Sequence, residues 1–96
     1  MDFDFAEFRQ FLETHPDMTY IVQSKCHCPA AIWLANKLNK QVEVDDVNIR
    51  LDGVNYPTPM WMRVYIRRFD KLGLSCTRRP ASEAVEVANQ FVRDWM

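Results

Sequence analysis

The sequence predicts a small α+β domain with the element order α-β-α-β-β-β-α-(β)-α, an antiparallel meander packed by helices. Three observations lead there. Four stretches carry apolar residues at helical spacing, one face apolar and the other polar. Between the second and third of them lie three short alternating segments, two joined by Asp52-Gly53. The chain has 96 residues, of which 48% are hydrophobic and only 2 are Gly, enough for a single core (residues 1–96) and too few for two domains.

Residues 3–14 are expected to form the first helix. Asp4 stands at the N-cap and Glu7 three positions on, the spacing of a capping box, while Phe3 and Phe8 occupy staple positions. Phe5, Phe8, Phe11 and Leu12 share one arc of the wheel, and His15-Pro16 ends the helix. Thr19 to Gln23 is β-branched and aromatic, a short strand. A second helix follows over 29–39, with Pro29 in its first turn and Ala31, Leu34, Ala35 and Leu38 inward. Trp33 falls off that stripe, so either the first helix covers it or it is an exposed aromatic; coverage is the expectation.

Val42–Val44, Val47–Leu51 and Val54–Tyr56 read as strands. Asp52-Gly53 supplies the type I′ turn, which needs positive φ at both positions. Alternation places Val47, Ile49 and Leu51 on one face and Asn48 and Arg50 on the other. Thr58 as N-cap and Pro59 at N1 start a third helix over 59–71, with Gly73 as the C′ residue. Its apolar arc is Trp61, Met62, Tyr65, Ile66, Phe69 and Leu72. Leu74–Thr77 is a possible last strand. A helix over 81–95 closes the chain on Ala81, Ala84, Val85, Ala88, Phe91, Val92 and Trp95, and its apolar end is expected to dock on the chain's own core, leaving a monomer or a homodimer.

A net charge of −1 hides an uneven distribution. The balance is −4 over residues 1–20, zero over 21–55, +5 over 56–80 and −2 over 81–96. A chain divided in this way can present a local basic patch, or its segments can neutralise one another in the fold. A uniformly basic nucleic-acid coat is excluded. No apolar run approaches the ~20 residues that span a bilayer, and the acidic MDFDF start is not a signal peptide, so a cytoplasmic location is expected.

Two clusters could carry chemistry. Cys26-His27-Cys28-Pro29 opens the second helix, where the helix dipole favours a thiolate. The strand, Cys-rich turn and helix resemble a thioredoxin-type redox site, but the spacing is Cys-x-Cys and the Pro follows the second Cys. Cys26, Cys28 and Cys76, with His27 and His15, are weak metal ligands, since structural zinc favours two short-spaced pairs and only one is present. The expectation is no metal, no cofactor and reduced, structural cysteines, for three Cys cannot form a closed disulfide framework. With no phosphate loop, nucleophile elbow or zinc motif, and only two His, catalysis is not expected.

The second cluster is the basic side of the third helix: Arg63, Arg67, Arg68 and Lys71, which Arg78 and Arg79 could extend, with Met60 beside it. Arg outnumbers Lys five to one there, which favours fixed contacts over solubility alone. The helix aromatics lie on its buried arc, so stacking of single-stranded bases is disfavoured. A solvated face paired with Asp and Glu of neighbouring elements is the plain alternative and carries as much weight as the functional ones together; among functions, a protein partner is the leading expectation and nucleic acid the second.

The chain also resembles a group of small uncharacterised proteins of tailed phages and prophages. The resemblance rests on Cys26-x-Cys28-Pro29-x-Ala31, Val42-x-Val44, Val47-x-Ile49, Asp52-Gly53, Tyr56-Pro57-x-Pro59 and Ile66 through Phe69-Asp70, covering roughly residues 20–72. It implies an accessory protein that binds and modulates or inhibits a host protein in the host cytoplasm. It also implies framework roles for Cys26, Cys28 and Tyr56-Pro57, and no catalytic residues.

Overall fold

A computed structural model describes residues 3–95, and for Trp95 the backbone alone. The expected position of the Trp95 side chain lies outside the described residues, as do Met1, Asp2 and Met96. Four helices and five strands follow in the order α1 (Phe5–Thr14), β1 (Thr19–Ile21), α2 (Pro29–Leu38), β2 (Val42–Val44), β3 (Asn48–Leu51), β4 (Val54–Pro57), α3 (Met60–Asp70), β5 (Arg78–Pro80) and α4 (Ala81–Trp95). The α+β class is therefore as the sequence predicts. The strands form two antiparallel sheets, β1 with β5 and the meander β2-β3-β4. The radius of gyration, 12.1 Å, is close to the ~12–13 Å of a compact chain this long.

Asp4 caps α1, its carboxylate accepting from the Ala6 N–H at 2.9 Å. The other half of the capping box does not form. Glu7 turns instead to Lys37 on α2, at 2.7 Å, because a cation on the neighbouring helix competes with a backbone donor. His15 closes α1 by donating Nδ1–H to the Phe11 carbonyl at 2.8 Å. In α2 the N-cap is Cys28, whose sulfur accepts from the Ala31 N–H at 3.4 Å. Asn39 ends the helix in the left-handed region at φ 53°.

The Asp52-Gly53 turn has φ 53° and 76°, the predicted type I′ geometry. Val47 departs from expectation. Asp45 Oδ1 accepts from both the Val47 and Asn48 N–H groups, at 2.8 and 2.7 Å, so the chain is still turning at Val47 and β3 begins one residue later. Val47 is 56% exposed rather than buried beside Ile49 and Leu51. Nor does Thr58 cap α3. Its hydroxyl donates to the Asp45 carbonyl at 2.9 Å, and Pro59 takes the N-cap position with no side-chain bond.

Two expectations at the far end of α3 also fail. Gly73 is not a left-handed cap, because Lys71 closes the helix in the right-handed region with its N–H on Arg68 and Phe69 carbonyls. The last strand lies at Arg78–Pro80 rather than Leu74–Thr77. Its partners Thr19–Ile21 fix that register, while Leu74 stands 83% exposed in the preceding turn.

The core is shared by the four helices and the inward residues of β1, β2 and β3. Phe8 is at its centre, with ring centroids 4.8 Å from Tyr65, 5.3 Å from Trp33 and 5.4 Å from Trp61. Trp33 is 2% exposed, so it is not an exposed aromatic; α1 covers it. Tyr65 donates its hydroxyl to the Ala84 carbonyl at 2.8 Å and Arg68 pairs with Asp94 at 2.6 Å, so α3 is bound to α4 inside and at the rim. No helix of the described residues is long and apolar enough to cross a membrane.

Candidate binding face on the third helix

The face begins with the helical repeat of residues 60–71. Met62, Tyr65, Ile66 and Phe69 are buried, which turns the opposite ridge to solvent. That ridge carries Met60, Arg63, Val64, Arg67 and Lys71, and Met60 is 62% exposed. Asp45 fixes the loop at its head: the Thr58 hydroxyl bonds the Asp45 carbonyl and the Thr58 N–H bonds the Val47 carbonyl at 3.1 Å, so exposed Val47 lies beside the start of α3.

The six basic residues of the segment are not equivalent. Arg67 Nε lies 3.2 Å from Asp46, which holds the side chain along the ridge while leaving it exposed. Arg68 is turned to Asp94 and is half-buried there. Arg78 donates to the Thr19 hydroxyl at 3.1 Å, and Arg79 bonds the Leu72 carbonyl and Glu83, so these two are bound up in the β1–β5 end and do not extend the strip. Arg63 and Lys71 form no side-chain hydrogen bond or ion pair among the described residues. The strip expected from sequence therefore reduces to Arg63, Arg67 and Lys71, with Met60 and Val64 between and beside them. Sequence reading missed Val47 and the two aspartates that build the head of the face. Asp45 two residues ahead of Val47 was the available signal, as the spacing of an Asx turn.

The two thiols of Cys26-x-Cys28 differ: Cys26 is half-buried and Cys28 is buried. Cys28 is 3% exposed, and burial pushes its thiol up to about 12 against the lowering effect of the Ala31 N–H. Desolvation thus overrides the helix dipole, and the sulfur serves as a cap rather than a nucleophile. His27 is exposed while Cys28 is buried, so adjacent residues face opposite ways, and Cys76 is exposed in the loop after α3. Among the described residues no three Cys, His, Asp or Glu side chains are grouped to hold a metal. A thiol reagent added to the native protein is expected to modify Cys76 rapidly and Cys28 only after unfolding, as mass mapping would read. Fast native labelling of Cys28 would contradict its burial.

Above Cys28 is an open cleft of about 270 Å³ between Gln23–Lys25, Val44–Asp46, Ile66 and Asp70. Asp70 accepts from the Gln23 N–H at 3.0 Å. Burial raises its carboxyl above the ordinary range, the Gln23 bond opposes this, and Asp46 adds to the rise. The stability that a neutral Asp70 lends is present below the ordinary carboxylate pKa and is lost as pH rises through the raised value. The cleft is lined by the carboxylates of Asp45, Asp46 and Asp70 and by Lys25, with the buried Cys28 thiol in its wall.

No known protein family, curated protein or solved structure matches the chain.

Proposed function

We propose that this is a non-enzymatic binding module that engages another protein through the ridge of α3. Its place is that of a phage-type accessory factor acting on a host protein in the cytoplasm. One observation carries the reading: among the described residues the Arg63 and Lys71 side chains form no hydrogen bond or ion pair and Met60 is exposed, yet all three lie along one ridge with Arg67, which Asp46 holds. Arg and Met are enriched at interface cores, where large flexible apolar and planar cationic groups pack against a partner. Nucleic acid is the weaker reading, because Arg68, Arg78 and Arg79 are engaged by the protein itself and phosphate binding gains with each free cation.

Affinity capture from a bacterial lysate, compared between the protein and its Arg63→Glu/Arg67→Glu variant, tests the proposal. The expected result is a partner retained by the first, lost by the second and bound again when purified. Unchanged capture by the variant would overturn the assignment of this face. Binding of DNA or RNA at ~50 mM salt that weakens steeply toward physiological salt would replace it with the nucleic-acid reading.

A further inference from the structure

Resting on that reading, we infer that the partner presents an acidic amphipathic helix, docked antiparallel to α3 with its carboxylates ahead of its aliphatic residues. The ridge fixes each part of this. Met60, Val64, Arg67 and Lys71 follow one another at intervals of four, three and four residues, the seam along which a second helix packs. Lys71 keeps right-handed helical geometry at φ −82°, so the seam continues through it.

Along this seam the chemistry is polarised. Its first part is apolar, with Met60, Val64 and the neighbouring Val47. Its second part is cationic, with Arg67 and Lys71, while Arg63 stands on the flank of the apolar part, one residue before Val64. From Met60 to Lys71 the ridge runs about 16 Å, matched by roughly three turns of a second helix. Carboxylates must lie over the cationic part and aliphatic side chains over the apolar part. Asp and Glu stabilise a helix most in its first turn, where the macrodipole is positive. The partner helix therefore starts over Lys71 and ends over Met60, and the two helix dipoles then oppose each other favourably.

The probe is a displayed library of helical peptides about 14 residues long, long enough to cover the ridge at about 1.5 Å per residue. Selection is expected to enrich Asp and Glu in the first turns and Leu, Ile, Met or Phe in the last. Affinity of the selected peptides should fall at least about tenfold for Met60→Glu and for Arg63→Glu/Lys71→Glu, the size of loss seen when an interface anchor is removed. Those side chains lie outside the core, so folding of both variants can be verified by their urea midpoints. Peptides that lose binding on these substitutions but are basic, or carry the reverse order, would overturn the acidic-first helix and leave the binding face standing. Peptides indifferent to both variants, or no enrichment at all, would overturn the face together with the inference. Salt-sensitive capture of single-stranded DNA in place of peptides would assign the ridge to nucleic acid.

Discussion

Phe8→Ala is expected to lower the unfolding free energy by about 4 kcal/mol, read from the urea midpoint at unchanged slope. Phe8 is fully buried on α1, with tilted or edge-on ring contacts to Phe5, Trp33, Trp61 and Tyr65. It therefore bridges α1, α2 and α3 through rings that each have limited freedom to collapse into a void. A chain of this length has about 5–14 kcal/mol of stability, so the loss removes roughly a quarter or more of it. A cost below about 1.5 kcal/mol would show that the site refills and that Phe8 is not the hub of the core.

The second large effect is a contrast between two buried tyrosines. Tyr65→Phe removes the hydroxyl that donates to Ala84 and is expected to cost about 1–2 kcal/mol. Tyr20, on β1, is as deeply buried, but its hydroxyl has no partner among the described residues. Tyr20→Phe is therefore expected to be neutral or stabilising by up to about 1 kcal/mol, because it relieves an unpaired polar group. Alkaline titration supplies a second readout. Burial pushes the Tyr20 phenol up to about 12 and the Tyr65 phenol well above its ordinary 10. The unfolded chain releases these protons first, so the stability they lend is full below about pH 10 and is lost as pH rises through the raised values. Either substitution should soften that alkaline loss. Equal costs for the two replacements would contradict the assignment of the hydroxyl partners.

Local chemistry made much of the fold readable. The Asp4 cap, the Asp52-Gly53 turn and the buried arc of α3 each depend on residues within a few positions of one another, and each is found where the sequence places it. The misplacements share a different cause. Glu7 leaves its own helix for Lys37, thirty residues on. Arg78-Arg79-Pro80 has little strand propensity and becomes β5 because Thr19–Ile21, far back in the chain, offers the matching edge. Thr58 is drawn from its capping role by a carbonyl thirteen residues earlier.

The candidate face on α3 was legible in the same degree. Helical spacing found Met60, Arg63, Arg67 and Lys71 on one side of α3. It could not show that Asp94 takes Arg68 or that Leu72 and Glu83 take Arg79. A segment charge of +5 therefore overstated the cations available to a partner, since pairing across the fold leaves three on the ridge and one of these is already tethered. The outward position of Val47 escaped for a related reason: alternation holds only while the backbone is extended, and the Asp45 side chain keeps it curled for one residue more.

The meander also determines how the molecule meets its neighbours. With the tight turn at Asp52-Gly53, Leu51 and Val54 exchange hydrogen bonds, as do Ile49 and Tyr56, leaving Asn55 and Pro57 as the residues of β4 whose backbone groups point away from β3. Proline has no N–H to offer, so the outer rim of β4 presents a visiting strand with a single donor in this stretch, the Asn55 N–H. On the opposite rim, the Val44 N–H is already satisfied by the Lys25 carbonyl at 2.8 Å. Each margin thus lacks one donor that a growing sheet would use. Edge-to-edge pairing of copies is weakened at those two positions, Val44 on one rim and Pro57 on the other.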